Sequence, residues 1–200
     1  MLIRKASSQK GASLIEIMIA LTVLAISLAM GIPAFSEWLQ NTQIRTATES
    51  MLAGVQSARS EALKRNAIVR FQLMSSIDAT CVQSTSGTNW VVSLSDAAGQ
   101  CDVADPAAPP NIVRIKSATE GTPNVTFLAS QSSFAFNGLG MLTPPIGATA
   151  TIDVANPAGG TCLAEGNGGK MRCLRVQIAS GGQVRMCDPY VGDNADPRNC

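Results

Sequence analysis

Hydrophobic and polar positions change rhythm twice along this chain. Residues 14–35 are almost all apolar, broken by small or hydroxyl residues and by one carboxylate, Glu16. A helix over this stretch would rise about 33 Å at 1.5 Å per residue, enough to cross the hydrocarbon core of a bilayer. From Ile44 the pattern turns amphipathic. Ile44, Ala47, Met51, Val55, Ala58 and Ala62 recur at spacings of three and four, while Glu37, Gln40, Arg45, Glu49, Ser57 and Glu61 mostly lie off that stripe. Arg45 with Glu49, and Glu61 with Arg65, are four apart and support the same helix. The spacing predicts one long helix over about 12–65, its first half apolar and its second half packing one face against a sheet.

After Asn66 the period falls to two. Val69, Phe71 and Leu73 alternate with Ile68, Arg70 and Gln72, which predicts a half-buried strand. Trp90, Val92 and Leu94 make the next, after a turn-rich stretch at 84–89. Pro106, Pro109 and Pro110 mark 101–111 as a loop. Weaker strands are expected at 112–116, 125–128, 133–136 and 151–154, and glycines at 159, 160, 166, 168 and 169 bracket another loop. The last hairpin is clearer: 173–178 alternates, Ser180-Gly181-Gly182 turns, and 183–187 returns. Glycine there supplies the positive φ that a tight turn needs. The tail 188–200, with Pro189 and Pro197, reads as an ordered coil tied back by Cys200. No internal repeat is evident. The fold class is α+β, a long N-terminal helix packed on an antiparallel β-rich domain.

The 200 residues suit one extracytoplasmic domain and a membrane helix. All six cysteines (Cys81, Cys101, Cys162, Cys173, Cys187 and Cys200) lie beyond the apolar run, as in a chain exported to an oxidising compartment. Six cysteines allow fifteen pairings; chain proximity favours 81 with 101, 162 with 173 and 187 with 200. With no histidine and no C-x-x-C, disulfides outweigh zinc, and no metal or cofactor is expected. Neither a G-x-S-x-G nor a phosphate-binding glycine loop is present, so an enzyme is not expected. The acid pairs Asp102/Asp105 and Asp193/Asp196 sit in turn-rich loops and read as turn formers, or at most weak calcium ligands.

Charge sets the orientation. Formal net charge is +1, and Arg4, Lys5 and Lys10 precede the apolar run with no acid beside them. The positive-inside rule keeps them in the cytoplasm and exports everything after about residue 35. Without those three, 12 basic residues face 14 acidic ones, about −2, and net charge lends nucleic-acid binding no support.

A lone carboxylate in a membrane helix costs roughly 2.5–3.5 kcal/mol or more at mid-bilayer, so Glu16 needs a purpose. A generic signal anchor gives it none, and a conventional cleavage site of A-x-A type is missing after the run; residues 31–35 are a poor substitute. The stretch Lys10-Gly11-Ala12-Ser13-Leu14-Ile15-Glu16 closely resembles the class III signal of type IV prepilins. In that family a dedicated peptidase cuts after the glycine, and the acid is fifth in the mature chain. Counted from Ala12, Glu16 is fifth; Ala12 itself departs from the usual first phenylalanine. Pro33 falls on position twenty-two, where many pilins carry proline. The resemblance implies a bend or a melted segment there on filament packing; the plain alternative is a helix ending at the membrane surface. The implied organisation is a leader at 1–11, a transmembrane and filament-core helix at 12–35, its amphipathic continuation at 36–66, and a periplasmic or extracellular β-rich domain at 67–200.

The C-terminal run Ser180-Gly181-Gly182-Gln183-Val184-Arg185-Met186-Cys187-Asp188-Pro189, with its ending Asp196-Pro197-Arg198-Asn199-Cys200, resembles the FimT/FimU group of minor pilins. Their domain family includes the GspH-type minor pseudopilins of type II secretion. The resemblance covers both ends of the chain; 79–169 matches only in general character. It implies a minor pilin of a type IV pilus, incorporated at the filament or priming it, for twitching, adhesion or DNA uptake. Its partners would be other major and minor pilins through the N-terminal helix, the prepilin peptidase and the inner-membrane assembly platform. The chain would start in the inner membrane with its domain in the periplasm and end on the pilus. Glu16 would be compensated by the α-amine that cleavage frees on a neighbouring subunit, a pair worth most in a low dielectric. The alternative is a GspH-like minor pseudopilin. A third reading is DNA capture: some FimT-like pilins use a Gly-Arg-x-Arg motif, and this chain reads Gly182-Gln183-Val184-Arg185, one arginine short. Lys170, Arg172, Arg175 and Arg185 would cluster on one hairpin face and hold phosphates weakly, against the plainer reading of solvated strand charges.

Overall fold

The computed structural model describes residues 11, 13–117, 120–144, 149–163 and 168–200. The leader residues 1–10 and Ala12 lie outside that set. Helix α1 runs Leu14–Arg65, and the chain divides into two compact units, Met1–Ser36 and Glu37–Cys200. The division leaves the amphipathic part of α1 with the β-rich domain, not as a segment of its own.

In the first unit the described helical residues are all exposed, and the helix is long and apolar enough to cross a membrane. Two of its hydroxyls are turned inward on the backbone. Thr22 Oγ1 donates to the Ile19 carbonyl and Ser27 Oγ to the Val23 carbonyl, each at 2.8 Å. That satisfies groups which hydrocarbon could not. The helix neither ends nor breaks at Pro33. Proline deletes one amide donor, the partner of the Ala29 carbonyl, and the bonds on either side carry the helix past it. The alternative of a helix stopping there is thereby corrected.

In the second unit the remainder of α1 packs on eight strands: β1 Val69–Met74, β2 Asn89–Ser93, β3 Ile112–Lys116, β4 Thr126–Ala129, β5 Ser133–Phe136, β6 Ala150–Ala155, β7 Leu174–Ile178 and β8 Val184–Cys187. They form two antiparallel four-stranded sheets, ordered β3-β2-β1-β5 and β4-β6-β7-β8. All six residues of the helical stripe are buried, and so are Thr48 and Gly54 between them. They share one core with Phe71, Leu73, Trp90, Phe134 and Phe136 of the first sheet and Ile152, Val154, Val176 and Ile178 of the second. The helix ends in a Schellman turn: the Ala67 amide donates to the Ala62 carbonyl, and Asn66 takes φ 47°.

Strand β1 corrects the half-buried expectation, because both its faces are covered. Gln72 is fully buried, donating through Nε2 to Ser93 Oγ and the Ser95 carbonyl while its Oε1 accepts from the Ala97 amide and from Gln83. The cover is the 75–111 segment, where Cys81, Ala97 and Cys101 join Met74 and Val91 in a second apolar cluster. Disulfides join Cys81 to Cys101, Cys162 to Cys173 and Cys187 to Cys200, nearest neighbours in the chain. At the β7–β8 turn Gly182 has φ 78°, and a Cβ there would strike the Gly140 carbonyl, so two turns touch through glycine.

Candidate assembly surface

Glu16 lies in the first turn of α1, where a negative charge complements the helix macrodipole. Leu14, Ile15, Ile17, Met18 and Ile19 around it are all more than half exposed, and none of the ion pairs among the described residues involves Glu16. Gly11 is exposed, with nothing within 4 Å of where a side chain would begin. The arrangement is a long uncovered apolar surface with one carboxylate near its start, in no ion pair among the described residues. Ala12, the other residue of the expected cleavage site, falls outside the described residues.

The four basic residues are divided by the fold. Arg175 and Arg185 share the outer face of the second sheet, since Arg175 opposes Cys187 and Arg185 opposes Gln177. Both guanidiniums are engaged there. Arg175 pairs with Asp153 on β6, Nε to Oδ1 at 2.6 Å, and Arg185 donates to Gln177 Oε1 and to the Cys200 main-chain oxygen. Lys170 and Arg172 precede β7 and are tied to α1 instead. Asn41 Oδ1 accepts the Arg172 amide at 2.7 Å, and Asn41 Nδ2 faces the Lys170 carbonyl at 3.4 Å. Met171 between them is buried, so Lys170 and Arg172 both project outward. A single hairpin face carrying all four cations is therefore not what forms.

Arg172 lines a groove of about 440 Å³ with Trp38, Arg45, Leu174, Met186 and Arg198 among others. Arg45 is held by Glu49 and Arg198 by Asp196. The Arg198 side chain, with its own amide, holds the Asp196 carboxyl down at about 2. Of the expected turn formers, Asp105 accepts the Ala107 amide, Asp193 the Ala195 amide and Asp196 the Arg198 amide, each two residues on. Among the described residues no group of His, Cys, Asp and Glu gathers as metal ligands would. The Asn41 clamp, and the amide of Asn156 on Gln40 and Gln43, carry no local sequence signal. They join residues more than a hundred apart.

Comparison with known proteins gives two family matches and a structural likeness. A family model described as type II transport protein GspH matches residues 47–187, and one described as the prokaryotic N-terminal methylation motif matches 6–32. A crystal structure of the type IV minor pilin FimU of Pseudomonas aeruginosa PAO1, in space group P21, is similar with TM-score 0.50 and 16% identity. It covers 74% of this chain and 91% of that one. The P65 form of FimU gives TM-score 0.48 and 15% identity over 71% and 90% of the two chains. At that identity the likeness is one of fold. No curated protein sequence matches.

Proposed function

The chain belongs to the GspH family of type II transport proteins, and on that premise we propose that it serves as a minor pilin of a type IV pilus. The observation that carries this reading is the uncovered apolar helix with Glu16 in its first turn. The prepilin peptidase cuts after Gly11, and the new α-amine of Ala12 becomes the partner of Glu16 of a neighbouring subunit. In hydrocarbon an unpaired carboxylate costs several kcal/mol, so only a subunit in register docks well. The apolar helices then pack together, and the disulfide-stapled domain faces outward. The FimT/FimU resemblance of the C-terminal run and the FimU-like fold support the pilus; the description of the matching family supports the alternative, a minor pseudopilin of a type II secretion system.

The test is mass spectrometry of pili sheared from the source cells, with wild type and Glu16→Leu compared. Wild-type chain should appear beginning at Ala12, at a low ratio to a major subunit. Glu16→Leu should be cleaved and membrane-bound but absent from pili. Normal incorporation of the variant would remove this role from Glu16. Pili lacking the wild-type chain, with secreted proteins retained in a deletion strain, would move the assignment to secretion.

A further inference from the structure

Arg59 and Arg185 come from distant parts of the chain and border one hollow of about 440 Å³ with Thr149, Gln177 and Gln183. It lies wholly in the second unit, where the last turns of α1 meet the turns at 137–142 and 179–183. Oxygen acceptors set each guanidinium in place. Arg59 Nε donates to the Gly140 carbonyl at 3.1 Å, and Arg185 donates to Gln177 Oε1 at 2.9 Å and to the Cys200 main-chain oxygen at 2.6 Å. Glycine makes room for the first: a Cβ at Gly140 or Gly182 would come within 3.2 or 3.1 Å of Arg59 Nε. Among the described residues no Asp or Glu side chain lies within 4 Å of either arginine. Glu61, two residues from Arg59, is held by Lys64 and Arg65, and Asp153, on the sheet face of Arg185, by Arg175. The surface beside them is apolar. Leu63, one helical turn on from Arg59, is 50% exposed, and Leu139 and Met141, either side of Gly140, are 72% and 41% exposed.

We propose that Arg59 and Arg185 receive an Asp or Glu side chain from a different subunit of the fibre, with an apolar neighbour of that acid covering Leu63, Leu139 and Met141. Charge complementarity names the occupant, since two guanidinium forks without an acid match a carboxylate, which they hold bidentately. The setting makes it a protein carboxylate: arginine and methionine are enriched at protein interfaces, and exposed apolar patches mark them. A phosphate backbone would call for a row of cations, not two beside leucines. The partner's being a fibre subunit rests on the reading of this chain as a pilin. Arg59 lies off the buried stripe of α1, so this contact adds to the packing of the apolar N-terminal helices.

Leu139→p-benzoylphenylalanine places a photocross-linker beside the Arg59 acceptor, and the product formed in the source cells is mapped by mass spectrometry of sheared pili. It should join a different pilin-like chain within a few residues of an Asp or Glu. Arg59→Glu with Arg185→Glu should lower its yield about ten-fold, and changing that acid of the partner to arginine should restore it. Should the double variant fail to fold by near-UV circular dichroism, Arg185→Glu alone, at an exposed position, carries the same test. A product on a stretch without an acid, one that the folded variant leaves unchanged, or none from a chain present in the fibre overturns the site while the pilin reading stands. Absence of the chain from every fibre overturns both. A product between two copies would make the face one of self-association. Retardation of a short duplex DNA that the double variant abolishes, with no protein product, would reassign the arginines to nucleic acid.

Discussion

Gly54 is the position where one added methyl group tests the packing of α1 on the first sheet. Built on this backbone, a Cβ would lie 2.7 Å from Phe71 Cε2 and 3.1 Å from both Trp90 Cζ2 and Cη2. Neither ring has room to retreat. Phe71 is fully buried, its centroid 5.5 Å from that of Trp90 and 6.3 Å from that of Phe134. Overpacking of this kind costs about 1–3 kcal/mol, and a contact under 3 Å to a trapped ring belongs in the upper half of that range. Against it stands the gain in helix propensity from glycine to alanine, about 1 kcal/mol. Sterics win, and Gly54→Ala should be destabilised by about 1–2 kcal/mol net. For a domain of this size that lowers the melting temperature by roughly 2–8 °C. The assay is thermal unfolding of the full chain in detergent, monitored by near-UV circular dichroism. Gly31→Ala is the control, with nothing within 4 Å of its Cβ, and should leave that transition in place. A Gly54→Ala protein as stable as wild type, or more so, would refute the argument, because the helix would then not sit as close to Phe71 as described.

Removing the Cys81–Cys101 bridge by Cys81→Ala with Cys101→Ala opens a loop of separation 20 and should cost about 3 kcal/mol, read as a lower urea midpoint. The Cys162–Cys173 bridge, of separation 11, should cost about 0.5 kcal/mol less on loop length alone. Asp196 supplies a pH dependence. Its carboxyl is held at about 2 against an ordinary 3.8, so the folded state gains stability that is present above pH 3.8 and lost as pH falls through 2. Asp196→Asn should therefore show a flatter stability profile between those pH values, measured by denaturation at each. Asn41→Ala should lose about 1 kcal/mol and speed hydrogen exchange at the Arg172 amide, which unchanged exchange would contradict.

What the chain disclosed of this fold depends on the range over which each signal acts. The stripe from Ile44 to Ala62 was legible because helix periodicity is local, and each of its residues is buried. Strands Ile112–Lys116 and Ser133–Phe136 were equally local. Gln72 misled because a polar residue on an alternating strand normally faces water; here a loop folds over and satisfies it, a partnership that periodicity does not encode. The pairing of β1 with β5, while β4 joins the other sheet, is likewise a matter of topology. At the candidate site Glu16 stood out because a charge in an apolar run is conspicuous by itself. The fate of the basic residues was hidden, since Arg175 finds Asp153 only through the β6–β7 register and Arg172 finds Asn41 across 131 residues.

The bridges have a mechanical consequence. All six cysteines come after residue 80, so no covalent cross-link reaches α1. A tensile load carried along the helices of a fibre would be borne, within each subunit, by van der Waals contact between the helical stripe and the sheets and by the few hydrogen bonds at Asn41, Gln40 and Gln43, in shear. Should that contact yield, the bridged loops would not unravel. With separations of 20, 11 and 13 residues they withhold about 150 Å of contour length at some 3.5 Å per residue. Stretched to failure, the subunit would lengthen by a short, fixed step, and force–extension traces would show that step grow by the withheld length once the disulfides are reduced.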